Sequence, residues 1–102
     1  MRDFIQILNE AMQAQGLSAR GLEKKMKEIF GPEMKISGSA INDHLNGKDL
    51  PLYQAGYMIS VALGLDETEA LGELFKARMQ HWERFEKARY DDMLKYIERQ
   101  KA

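Results

Sequence analysis

The stretch Ile36-Ser37-Gly38-Ser39-Ala40-Ile41-Asn42-Asp43-His44-Leu45-Asn46-Gly47-Lys48 decides how this chain is read. Ser37 is a strong N-cap residue, because its hydroxyl can accept a backbone N–H that the first helical turn leaves unpaired. Ile41 and Leu45 stand four apart and therefore face inward together, and Gly47 supplies a left-handed stop. The stretch predicts a short, capped third helix that leaves Gly38, Ser39, Asn42, Asp43 and Asn46 facing outward.

Working outward, the same signals divide the rest of the chain into helices. Ser18 caps a second helix whose apolar stripe is Leu22, Met26, Ile29 and Phe30, with Gly31-Pro32 as its terminator. Asp3 caps a first helix with an inner face of Phe4, Ile5, Leu8 and Met12, ending at Gly16. Pro51 suits the first turn of a fourth helix that runs to Gly64. Asp66 with Glu69 opens a fifth helix that meets neither Gly nor Pro after Gly72 and is able to continue nearly to Ala102. No segment alternates apolar and polar residues as a half-buried strand would, so the expected class is all-α.

The fifth helix is too long for its own core. At 1.5 Å per residue it would extend about 50 Å, roughly twice the width of a domain this size. Leu71, Leu74, Phe75, Met79, Trp82, Phe85, Met93, Tyr96 and Ile97 share one broad face, with Tyr90 at its rim and Glu86 and Arg89 interrupting it. An apolar face that outruns the core predicts a partner, with Trp82, Phe85, Arg89, Tyr90, Met93, Tyr96 and Ile97 as its contact residues and a homodimer as the expected assembly. The polar interruption argues against a regular coiled coil.

Composition bounds the function classes. The 102 residues hold 44% hydrophobic and 30% charged side chains, enough for one core, and no cysteine, which removes thiol nucleophiles and Cys-ligated zinc. No metal site is expected, since His81 has no second ligand at metal spacing. No cofactor, small-molecule ligand or membrane span is indicated either, and the start carries Asp3, Gln6 and Asn9 where a signal peptide would be apolar, so a cytoplasmic protein is expected. The carboxylates sit on solvated helix faces, no phosphate loop or nucleophile elbow is present, and catalysis is not expected. His44 reads as a packing or rim residue of the third helix. The net charge is −1, yet from Ser18 to Lys48 the bases Arg20, Lys24, Lys25, Lys27, Lys35 and Lys48 outnumber Glu23, Glu28, Glu33 and Asp43 by two.

Two short helices joined by a turn, the second opening at Ser and closing at Gly, suit a helix-turn-helix that sets small polar side chains against base edges. Together with Leu17-Ser18, Leu22 and the tail Gly47-Lys48-Asp49-Leu50-Pro51, the quoted stretch resembles the phage lambda repressor and Cro-like (XRE-type) helix-turn-helix family over roughly Phe4 to Leu65. The resemblance implies a five-helix fold with an operator-binding domain over residues 1–65; the length and apolar face of the last helix make residues 66–102 a C-terminal helix expected to complete the core and dimerise. It further implies a transcriptional regulator, a repressor of the phage, plasmid or mobile-element type, that binds double-stranded DNA through the third helix. Gly38, Ser39, Asn42 and Asp43 would face bases, and Ser18, Arg20, Lys24, Lys35, Ser37, Asn46 and Lys48 would face phosphates. Three features depart from the family: Gly38 stands where a polar reading side chain is common, Ala19 where a phosphate-binding glutamine is frequent, and the segment from Lys24 to Lys35 is longer than the usual turn. The alternative is a module of the same fold that binds another protein through the C-terminal helix without DNA.

Overall fold

A computed structural model describes residues 3–101, apart from the side chains of 81–86 and 89. The described residues form five α-helices: α1 (Phe4–Gln15), α2 (Ala19–Phe30), α3 (Gly38–Leu45), α4 (Tyr53–Leu63) and α5 (Glu67–Lys101). The chain is all-α, as its periodicity predicts.

The local signals explain the boundaries. Asp3 accepts from the Gln6 amide while the Gln6 side chain accepts from the Asp3 amide, a reciprocal capping box that satisfies two otherwise orphaned donors. Ser18 and Ser37 cap α2 and α3 through their hydroxyls, and Asp66 Oδ1 accepts from the Glu69 amide at the head of α5. Gly16 and Gly64 end α1 and α4 in the left-handed conformation, at φ 62° and 70°, where a Cβ would cost energy. One boundary differs from expectation: Pro51 lies buried ahead of α4, whose N-cap is Leu52, so the proline ends the preceding loop instead of starting the helix.

The core gathers Phe4, Leu8 and Met12 of α1, Leu22 and Met26 of α2, Ile41 of α3, Ile59, Ala62 and Leu63 of α4, and Leu74 of α5. Burying these side chains is what holds the five helices together, since each Leu, Ile, Met or Phe contributes about 1.5–3 kcal/mol relative to exposure. Two expected core positions are wrong. Ile29 and Phe30 are exposed at 47% and 36% and have no part in the core cluster, so the buried stripe of α2 stops at Met26, one turn before the helix ends. On α1 the buried residue beside Phe4 and Leu8 is Ile7, with Ile5 only half-buried.

Among the described side chains of α5, those that join this core lie in its first third. Ala70 and Leu74 are buried and Ala77 packs against them, whereas every described side chain from Lys87 onward is exposed. The molecule is accordingly elongated, 57 × 32 × 20 Å. Arg78 ties α5 to the start of α4: its Nη1 donates to Pro51 O at 2.9 Å and its guanidinium lies 5.5 Å from the Tyr53 ring centroid.

Candidate functional site

The quoted stretch folds as a helix held on three sides and open on the fourth. Ser37 Oγ accepts from the Ala40 amide at 3.1 Å, which starts α3. Ile41 is fully buried against α2 and α1, and His44 is buried at 6% exposure with Nδ1 donating to Asp49 O at 3.1 Å. A histidine in this place acts as a structural peg: it fills the core side of α3 and ties down the loop that follows. Leu45 is half-buried.

The end of α3 is fastened to α1. Asn9 Nδ2 donates to Leu45 O at 3.0 Å and also to Ile5 O of its own helix. Gly47 turns the chain at φ 72°, and a Cβ there would come within 3.2 Å of Ile5 Cδ1, so the position requires both the conformation and the small size of glycine. The Lys48 amide then donates to Asp43 O at 2.9 Å, which closes the last turn. At the other end, Met34 Sδ accepts from the Ile36 amide in the α2–α3 connection.

The open side carries Ser39, Asn42 and Asn46, all exposed. These side chains combine donors and acceptors on a short stem, which is the chemistry needed to approach a base edge or another polar surface closely. An open cleft of about 400 Å³ runs from this edge to the first turn of α2 and is lined by Ala19, Arg20, Glu23, Ser37, Gly38, Ser39 and Asn42. Two helix N-termini converge there, each with its hydroxyl cap.

Of the residues expected to face bases, Ser39 and Asn42 line the cleft and are exposed, Gly38 lines it and is half-buried, and Asp43 is half-buried and outside the cleft lining. Of those expected to face phosphate, Arg20, Lys24, Lys35, Asn46 and Lys48 are exposed, and Ser18 and Ser37 use their hydroxyls as caps. The side chains of Arg20, Lys24, Lys35 and Lys48 make no hydrogen bond or ion pair with any described residue. Lys25 instead donates to Gln15 Oε1 at 3.3 Å, and Lys27 lies 3.9 Å from Glu23 Oε1. Tyr90, Met93, Tyr96 and Ile97 of the expected partner face are exposed at 66%, 57%, 56% and 40%. Trp82, Phe85 and Arg89 lie outside the described residues.

Sequence reasoning missed three contributors. Asn9 and Arg78 act through carbonyl groups of chain segments far away in sequence, which no local pattern signals. Glu23 joins the cleft through the packing of α2 beside Gly38 of α3, with its Oε2 3.6 Å from a Cβ built there; its spacing after Arg20 was the one local hint. Among the described residues no group of three or more ligating side chains is arranged to hold a metal ion, and no helix is long and apolar enough to cross a membrane. In comparisons with known proteins no family model, curated protein or solved structure matched this chain.

Proposed function

We propose that this chain is a sequence-specific DNA-binding transcriptional regulator of the lambda repressor and Cro-like helix-turn-helix type, in which α3 enters the major groove. One observation carries the reading: α3 is short, capped and pegged from behind by Ile41 and His44, and its polar edge of Ser39, Asn42 and Asn46 is uncovered beside uncommitted cations at Arg20, Lys24, Lys35 and Lys48. A major-groove reader needs a rigid helix, small polar side chains at its leading end and flanking charges for the backbone.

The mechanism is occupancy. Two copies joined through α5 would place two reading helices on half-sites about one helical turn apart, and the bound dimer would obstruct transcription. The reading carries with it a cytoplasmic setting and a repressor of the phage, plasmid or mobile-element type. A second reading is favoured by the exposed apolar side chains Tyr90, Met93, Tyr96 and Ile97, whose area invites another protein: an interaction module of the same fold that never touches DNA.

Salt separates the two. Duplex binding should fall steeply as salt rises, because each neutralised phosphate releases counterions, whereas an apolar protein contact changes little. Replacing Ser39 and Asn42 by alanine should abolish discrimination between a selected duplex and a scrambled one while the helical circular dichroism is retained. Failure of the intact chain to bind any duplex at low salt removes the regulator reading.

A further inference from the structure

Resting on that reading, we infer that Arg20 of α2 is a base-reading residue that contacts a guanine, taking the role that the missing side chain of Gly38 leaves open. Three observations converge on it. A Cβ built on Gly38 would lie 3.6 Å from Arg20 Cγ and 3.7 Å from Arg20 Cα, so the α2 residue lies directly over the first position of α3. A side chain at position 38 would start in van der Waals contact with Arg20. Arg20 lines the same cleft as Ser39 and Asn42, and its guanidinium has no partner among the described residues.

The charge balance of the cleft favours a base over a phosphate. Glu23 Oε2 lies 3.6 Å from the same built Cβ, so a carboxylate shares the cleft with the guanidinium and no net positive charge is offered to an anion. A phosphate there would meet Glu23 at short range. The edge of a G·C pair meets it differently: guanine presents two acceptors, O6 and N7, that match the guanidinium fork, while the cytosine amino group is a donor suited to a carboxylate. Arg20 and Glu23, three residues apart on α2, therefore offer the donor and acceptor complement of one G·C pair, and Lys24, Lys35 and Lys48 remain for the phosphates.

The test is selection from a pool of randomised duplexes with the intact chain and with Arg20→Ala, Arg20→Lys and Asn42→Ala, followed by titration of single-base variants of the selected duplex. Arg20 is exposed, so its variants should keep the wild-type helical signal. The expected result for Arg20→Ala is a roughly ten- to hundredfold loss of preference for guanine at one base pair of the site, with other positions unchanged. Arg20→Lys should fall between, since an ammonium keeps the charge but not the fork. The inference is overturned if Arg20→Ala weakens all duplexes by one factor and lowers the salt slope by about one, with Arg20→Lys behaving as wild type, for that marks a phosphate contact. It is also overturned if Arg20→Ala selects the wild-type site while Asn42→Ala relaxes it, an outcome that leaves the DNA-binding reading standing. An intact chain that enriches no sequence overturns that reading itself and this assignment with it.

Discussion

Leu74 of α5 occupies the space that a side chain at Gly56 of α4 would need. A Cβ on Gly56 would collide with Leu74 Cδ2 and come within 3.5 Å of Leu71 Cδ2, and both Gly56 and Leu74 are buried. The absence of that one carbon lets the two helices approach closely enough to seal the core, and Ser60 Oγ, bonded to Gly56 O at 2.7 Å, is buried at the same crossing.

Gly56→Ala should therefore destabilise the fold, even though alanine is the better helix former by about 1 kcal/mol. Overpacking a closed site of this kind costs about 1–3 kcal/mol, so the net loss measured by urea denaturation should be about 1 kcal/mol. Combining it with Leu74→Ala tests the contact directly. The double variant should be less destabilised than the sum of the singles, because each change relieves the other. Simple additivity would show that the two side chains do not compete for that space.

Ser37→Ala removes the hydroxyl that accepts the Ala40 amide. The expected cost is about 1 kcal/mol in chemical denaturation, with faster hydrogen exchange confined first to α3, and Ser37→Asp should restore most of it. Unchanged exchange in α3 would mean that packing of Ile41 and His44 holds the helix without its cap.

Arg78→Met keeps the aliphatic stem and deletes the bond to Pro51 O together with the cation–π contact to Tyr53. Thermal unfolding should report a loss of about 1–2 kcal/mol. Arg78→Lys should recover only part of this, since a single ammonium lacks the planar fork that serves a carbonyl and a ring together. Full recovery by lysine would reduce the role of Arg78 to its charge.

Met93→Glu with Ile97→Glu places two carboxylates on the distal face of α5, where the native side chains are 57% and 40% exposed. A monomer would tolerate both changes with little loss of core stability. If this face joins two copies, analytical ultracentrifugation should show the wild-type dimer replaced by monomer at the same concentration, because unpaired charges at the centre of an interface carry a large desolvation cost. A dimer that survives the double substitution would move the interface elsewhere.

The helices were legible because their signals are local. Asp3, Ser18, Ser37 and Asp66 each satisfy an amide three residues ahead, and Gly16 and Gly64 each take a conformation that costs other residues energy. These interactions close within one turn, so residue type and spacing suffice to find them. The same logic located Ser39 and Asn42 on the outward edge of α3. It failed at Ile29 and Phe30, which continue the apolar stripe of α2 but stand exposed while Leu22 and Met26 are buried. Periodicity reports which residues share a face; it carries no information on where the facing element stops.

What the amino-acid sequence determined by itself was five helical segments, four of them opened by a capping side chain, and the face on which most of their apolar residues fall, because those depend on groups within a few positions of one another. Only the tertiary structure decided that Gly56 admits Leu74, that Asn9 fastens the end of α3, and that Arg20 lies across Gly38 beside Glu23. Each of these joins residues that are close in space through the angle and separation of two packed helices. That angle is set by the sum of many side-chain volumes at once, and no single spacing along the chain encodes it.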